Sequence, residues 1–427
     1  MGFFEPKNSL AELWLSSAET IESGWFAQHR TQAQDRLLAM GLPGRRDEYW
    51  KYTRPDRLTE RATPTAAMLA SDDQAIFSDL DQIKIVFLDG VFAPDMSDEF
   101  DEQELQLELL SKVQAQETHW ASKLYGQLEM AGQSLVERPM AALNTALAEE
   151  GVLLHVKGQL SKPVHFIYLR QHESSDVMLH HVVKVESGAS LLLLESGPVG
   201  ARSNLVLETD IAETGSFRHV RIQGRDHERL ATTHHFARLQ EKSTFKSFSL
   251  TANGALTRNE CIVEMCGDDS IAHIAGACVG DGDFLHDDTV FVTHDAIGCE
   301  SRQVFKKVLR NGAMGVFQGK ILVKQDAQKT DGYQISQSLL LDEDSQFLAK
   351  PELEIYADDV ACSHGSTSGA VDEDALFYLR SRGVPIEKAT DMLTLSFLAE
   401  AVNEIDDPHL MECVVECLDA WLARRRQ

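Results

Sequence analysis

The sequence predicts an α+β chain in which helical ends flank a long middle of short strands. Residues 1–60 and 372–427 repeat apolar residues at helical spacing. Residues 151–366 change to short alternating runs broken by Gly, Ser and Asn, as in HVVKVESGASLLLLESG and NLVLETDIAETGSFRHVRIQG. At 427 residues the chain exceeds one ordinary compact domain and suits two or three units.

The elements follow in order. Leu10, Leu13 and Trp14 share one helix face, as do Leu37 and Leu38 further on. Gly41-Leu-Pro-Gly44 breaks that pattern, and Tyr49, Trp50 and Tyr52 follow as packing residues. Residues 61–80 form an irregular connection, and IKIVFLDGVFAP at 83–94 predicts a hairpin around Asp89-Gly90. Residues 101–150 return to a helical pattern, with Met140, Leu143, Asn144 and Leu147 in register. This divides the chain into a helical region 1–82, a hairpin with helical connection 83–150, a strand-rich core 151–371 and a helical domain 372–427. Short strands without a fixed repeat leave a β-sandwich, a barrel and a β-helix open. From Asp372, a suitable N-cap, one helix reaches Arg380 and Arg382 before Gly383. A second runs from Ile386 to Ile405, with Leu393, Phe397, Ala401 and Ile405 on one stripe. A third follows Pro408 and keeps Leu410, Cys413, Val414, Cys417, Leu418, Trp421 and Leu422 at helical spacing.

Composition excludes several functions. Sixty-seven acidic residues against 40 Lys and Arg give a formal charge of −27, which opposes nucleic acid and anionic membranes as partners. The basic-aromatic run RRDEYWKYTR carries its own Asp47 and Glu48 and does not reverse that balance. Hydrophobic residues make up 43% of the chain, enough for a large core, yet no apolar run approaches the roughly 20 residues that cross a bilayer. The start, MGFFEPKNSLAELWLSSAET, has neither signal-peptide nor transit-peptide character. Seven scattered Cys form no disulfide framework and fit a reducing cytoplasm.

Residues 354–366, EIYADDVACSHGS, carry the most chemistry. They alternate like a strand and are expected to turn at Gly365. Cys362 and His364 are two apart, so they share a strand face with Cα atoms roughly 6–7 Å apart. A thiolate and a neutral imidazole so placed can converge on iron, zinc or copper. The plain alternative is a small buried Cys beside a hydrogen-bonded His. Cys261, Cys266, Cys278 and Cys299 lack zinc or ferredoxin spacing and suit core positions. Cys413 and Cys417, at i and i+4, can form one edge of a metal site but also lie on an apolar stripe. His180-His181 and His234-His235 each split across two strand faces. His294 is open to a structural or a relay role. Gly315-Val-Phe-Gln-Gly319-Lys320-Ile321 fails as a phosphate loop. It has three residues between its glycines, Ile in the magnesium position and a strand-like continuation, so ATP chemistry falls to a partner. DGDFLHDD at 281–288 is expected to be a solvated turn, and no nucleophile motif stands out.

Several blocks together resemble one family. GLPGRRDEYWKYTRPDRL, SRQVFKKVLRNGAMGVFQGKILVKQDAQKTDG, KTDGYQISQSLLLDED, KPELEIYADDVACSHGSTSG and DEDALFYLRSRGV occur in the order found in the SufB/SufD proteins of iron–sulfur cluster assembly. The likeness runs from about Gly41 to Glu404. It favours the SufD type: SufB-type chains carry Cys in the strand PELEIY where Ile355 stands here, and many have Cys near their start, whereas this chain has none before Cys261. The resemblance implies a central β-helix (a parallel β-solenoid) between helical domains, and a non-catalytic scaffold. It implies pairing with a SufB-type paralogue along the β-helix edge, with His364, helped by Cys362, holding iron or a transient Fe–S cluster shared with that partner. It implies docking of a SufC-type ABC ATPase on the last helices, around Leu393 and Phe397, whose ATP-driven closure alters exposure of the shared site. A homodimer is the expected state when the partner is missing. Cluster type, subunit ratio and any flavin stay open. The rival classes are a β-helix carbohydrate-active enzyme, disfavoured by the free thiols and the start of the chain, and an adaptor without metal contact.

Overall fold

In the computed structural model, residues 7–16, 23–68, 76–99, 103–134, 136–224 and 227–424 are described. Parts of the first twenty-two residues and of the 61–80 connection lie outside that set. The chain opens with α1 (Lys7–Leu15), α2 (Trp25–Met40) and the short α3 (Asp56–Thr59). Gly41, with φ 68°, ends α2 because that backbone favours a residue without Cβ. On α1, Ala11 and Trp14 are buried while Leu13 points to solvent, so the expected stripe is shifted by part of a turn.

Strands β1 (Ile83–Leu88) and β2 (Val91–Phe92) form the expected hairpin, with Asp89 and Gly90 both at positive φ. The segment 101–150 is not purely helical. It begins with β3 (Leu105–Leu109), then α4 (Leu110–Val113), α5 (Gln127–Gly132) and α6 (Pro139–Leu147). LQLEL alternates with period two, and its antiparallel pairing to the next strand overrides the helical reading.

The middle is a parallel β-solenoid. Its strands are β4 (Val152–Val156), β5 (Val164–Leu169), β6 (Asp176–Val185), β7 (Ser190–Ser196), β8 (Arg202–Ile211), β9 (Ser216–Gln223), β10 (Leu230–Leu239) and β11 (Thr244–Ala252). They continue as β12 (Leu256–Met265), β13 (Ile271–Asp281), β14 (Leu285–His294), β15 (Glu300–Arg310), β16 (Met314–Val323), β17 (Thr330–Leu340), β18 (Gln346–Ile355) and β19 (Val360–Gly369). Successive strands alternate between two sheets, ordered β19-β17-β15-β13-β11-β9-β7-β5-β1-β2 and β18-β16-β14-β12-β10-β8-β6-β4-β3. The hairpin strand β1 and the strand β3 thus belong to the solenoid's sheets, ahead of residue 151. Side chains stacked between neighbouring rungs lie 26 to 31 residues apart, a spacing too uneven to show as a sequence repeat.

Inward residues interdigitate between the sheets. Phe87, Phe166, Leu193, Phe217, Phe245, Val263, Phe305 and Phe317 fill the lumen. Helices α5 and α6 cover the nine-stranded sheet, where Asn144 donates to the carbonyls of Leu179 and Asn204. The loop around Tyr49 and Trp50 packs on the same face, and the guanidinium of Arg258 lies 4.2 Å from the Trp50 ring centroid. The ten-stranded sheet is covered by α8 (Ile386–Val402) and α9 (Pro408–Arg424), which follow α7 (Glu373–Ser381). Asp372 caps α7 through Oδ1, accepting from the amides of Asp374 and Ala375 at 2.9 and 3.0 Å. On α9 the buried residues Leu410, Val414, Leu418, Trp421 and Leu422 all join the core under this sheet, and Trp421 Nε1 donates to Asn253 Oδ1. Among the described residues no helix is long and apolar enough to cross a membrane.

Acidic residues 281–288 depart from expectation. Only 282–284 turn; the strand β14 then carries Asp287 and Asp288 into buried positions on opposite faces. Asp287 faces the amino-terminal segment and pairs with Arg258, Thr53 and Gln318, while Asp288 faces the lumen and pairs with Lys307. Strand alternation explains the split, and cations placed by other strands explain the burial. The glycine-rich stretch at 315–321 lies within β16, so its amides serve the sheet ladder and open no helix.

Candidate functional site

The last strand of each sheet builds the site. β18 and β19 are hydrogen-bonded on one side only, to β16 and β17, and no described strand pairs with their outer edges. EIYADDVACSHGS is therefore not one strand. β18 ends at Ile355, the chain turns through 356–359, and β19 passes straight through Gly365, which pairs with Ile335. The expected turn at Gly365 is thus moved upstream, because the ladder with β17 holds residue 365 extended.

Register fixes which way the candidate ligands face. Cys362 stacks on Gly332, His364 on Gln334 and Ser366 on Ser336. Gly332, Gln334 and Ser336 are the buried, lumen-side residues of β17, so Cys362 and His364 share the lumen-side face of the terminal strand. His364 is exposed, and among the described residues its ring makes no side-chain hydrogen bond. Cys362 is half-buried against Ile321, Val323 and Ala327. A Cβ on Gly332 would sit 3.1 Å from Cys362 Sγ, so glycine there gives the thiol room. Burial raises the Cys362 thiol pKa, an effect partly offset by a backbone hydrogen bond at Gly332.

Beneath the rim the lumen is polar. Gln334 Nε2 donates to Gln303 Oε1 at 3.0 Å, while Gln334 Oε1, directly under His364 in register, has no partner among the described residues. Ser336 and Ser338 hydrogen-bond Ser366 and Ser368 at 3.2 and 2.9 Å. This end therefore presents two donors of different softness on a polar floor. Two are too few for a cluster, which takes four protein ligands.

The remaining histidines are held elsewhere. His180 Nε2 lies 2.9 Å from Glu208 and His234 Nδ1 3.3 Å from Glu260, while His181 and His235 point to the opposite, lumen side. His294 is buried with Nε2 2.8 Å from Ser301 Oγ, and desolvation holds its pKa down at about 4. That placement is structural, with no described bond toward β19. Cys261 is half-buried and Cys278 buried, desolvation pushes both thiols up to about 12, Cys299 bonds Ser270, and Cys266 is exposed.

On the helical side, Leu393 and Phe397 are half-buried, and Phe397 lies under Lys306 Nζ at 4.8 Å and packs on the core. The larger apolar exposure lies nearby and is not marked by the stripe: Phe377 is 74% exposed, Tyr378 57%, with Ile386 and Met392 beside them in sequence. α7 has no buried residue at all. The signal available in the sequence was FYL inside an otherwise charged helix.

Comparison with known proteins agrees with this architecture. Residues 168–397 match the family model described as SUF system FeS cluster assembly, SufBD core domain, and residues 5–165 match the SufBD protein N-terminal region. The chain is 28% identical over 413 residues to the iron–sulfur cluster assembly protein SufD of Escherichia coli, covering 94% of this chain and 93% of that protein. It is 26% identical over 430 residues to an iron–sulfur cluster assembly SufBD family protein of Synechocystis, covering 93% and 91%. It is 27% identical over 284 residues to SufD of Bacillus subtilis, covering 64% of each. The chain belongs to the SufBD family of the SUF system for iron–sulfur cluster assembly.

Proposed function

We propose that this SufBD-family chain is a SufD-type scaffold subunit whose open solenoid end receives a SufB-type paralogue and holds nascent cluster at the junction. The observation that carries this reading is His364: an exposed imidazole on the lumen-side face of an unpaired terminal strand, above a floor of Gln and Ser. Unpaired strands ten residues long are templates for strand pairing, and a second solenoid offers matching edges. The same edge would accept a second copy of the chain when the paralogue is missing.

Iron or the nascent cluster is cargo here. His364 supplies a nitrogen donor, Cys362 is the adjoining thiol, and the partner supplies the remaining sulfur. An ABC-type ATPase docks on the 372–427 region, and the exposed Phe377, Tyr378, Ile386 and Met392 extend the surface marked by Leu393 and Phe397. α9 serves to anchor that region on the solenoid. ATP-driven closure of the ATPase pair then shifts α7 and α8 and changes access to the rim. The seven free cysteines suit work in a reducing cytoplasm.

His364→Ala in cells carrying the paralogue and the ATPase is the test. The complex should co-purify intact while cluster yield, read as iron and sulfide per complex, falls severely. Wild-type yield in that variant removes His364 from the site and leaves an adaptor role.

A further inference from the structure

A second set of metal-type donors lies far along the chain from the solenoid rim. α9 carries His409, Cys413 and Cys417 at i, i+4 and i+8, so all three fall on one helix face. That face is not the buried one: the core is made by Leu410, Val414, Leu418 and Trp421, one position further round. The His–Cys–Cys face instead lines a cavity of about 590 Å³ between α9, the outer face of the ten-stranded sheet and the segment 76–79.

The donors converge across two distant parts of the sequence. One ligand atom each from Asp79, His409 and Cys413 lie within 4.8 Å of one another. His409 Nε2 is 2.8 Å from Asp79 Oδ2, and its Nδ1 is 3.8 Å from Cys413 Sγ. The two ring nitrogens therefore have different tasks. Nε2–H donates to the carboxylate, which fixes the ring, and Nδ1 is left to face the thiol. A carboxylate that orients a ligating imidazole through its far nitrogen is the common supporting arrangement at metal sites. Cys417, one turn beyond Cys413, lines the same cavity and interacts electrostatically with it.

The surroundings favour a cation. Glu412 and Glu416 line the same cavity. The opposite wall holds His165, which is 1% exposed and whose Nδ1 has no partner among the described residues.

We propose that His409 and Cys413, with Asp79 orienting the imidazole, bind a divalent cation of borderline softness, zinc or ferrous iron, at the mouth of this cavity. Nitrogen and thiolate donors select that class over magnesium or calcium. On binding, the coordinating thiol releases its proton to solvent, and the cation offsets the negative charge gathered there. The ion ties α9 to the 76–80 segment and so fixes the helical cover of the ten-stranded sheet. Two protein donors leave the remaining positions open to water or to a ligand within the cavity.

Full-length protein, stripped with chelator under anaerobic reducing conditions, is titrated with cobalt(II) as a spectroscopic probe. One equivalent should give thiolate-to-cobalt charge transfer and the visible bands of a tetrahedral site. Displacement by zinc(II) or by iron(II) in separate arms identifies the preferred ion. Cys413→Ser should abolish the charge-transfer band, and Asp79→Asn should weaken binding about 10- to 100-fold. Cys362→Ser and His364→Ala should leave both signals unchanged, which separates this site from the rim. If Cys413→Ser fails to fold, Asp79→Asn at its exposed position carries the test. Cobalt spectra unaffected by Cys413→Ser and Asp79→Asn would mean adventitious binding and overturn the proposal, as would their loss in Cys362→Ser.

Discussion

The two ends of this solenoid use the same rung geometry and finish it differently. At the amino-terminal end, β2 and β3 run antiparallel to β1 and β4 and finish the two sheets with short strands of two and five residues. At the carboxy-terminal end, β18 and β19 stop with one edge bare. A parallel ladder always leaves unpaired amides and carbonyls on its last strand, so an end is either capped or offered to a partner. The histidines follow the same division. Those inside are packing groups with hydrogen-bond partners, such as His165 against Ser196 and His294 against Ser301. His364, with similar chemistry, stands on the bare strand with none described.

That contrast can be broken from its buried side first. Asp287→Ala removes one of the two buried carboxylates that pair with Arg258, the other being Glu260. Breaking that buried pair, with loss of the acceptor for Thr53, should cost about 3–5 kcal/mol, read as a lowered urea midpoint with unchanged slope. Leu418→Ala, under the ten-stranded sheet, should cost about 2–5 kcal/mol in the same assay.

Acid should act on the interior next. Burial holds His165, His181 and His294 down at about 4, against an ordinary value near 6.5. These rings stay neutral in the fold while the unfolded chain takes up protons. Their contribution is complete above about pH 6.5 and is lost as pH falls toward 4. Thermal melting at pH 7.5 and pH 5 should show the drop, and His294→Gln should make it shallower. A melting temperature flat across that range would contradict the buried placement.

The open side should respond through binding instead. Phe377→Asp, on a helix with no buried residue, should leave stability unchanged and weaken ATPase capture at least tenfold, about 1.4 kcal/mol. His364→Ala should likewise leave stability within about 0.5 kcal/mol of wild type in isolated protein. A larger loss would show that the imidazole supports the fold and would erase the distinction between the two ends.

Much of this was legible in the order of residues. The third terminal helix appeared as a near-faultless apolar stripe, and the hairpin at Asp89-Gly90 as a turn signal between two apolar runs. His364 and Cys362 stood out through the text around them. Other features could not be seen. LQLEL lay within a helical stretch and became β3 only by pairing with β4. DGDFLHDD looked solvated because its cations, Arg258 and Lys307, are supplied by other strands, 29 and 19 residues away from the acids they meet. Phe397 marked a docking stripe, but Lys306 covers its ring, while Phe377 and Tyr378 carry the exposure.

Local spacing by itself determined most of the helices and strands and most of their apolar faces, because period and turn chemistry act within a few residues. Tertiary structure decided what stacks on what: that Gln334 lies under His364, that Asp79 reaches His409, and that the ladder ends in short antiparallel strands on one side and long parallel ones on the other. Those relations join residues 30 to several hundred positions apart, and only the winding of the chain into rungs brings them within bonding distance.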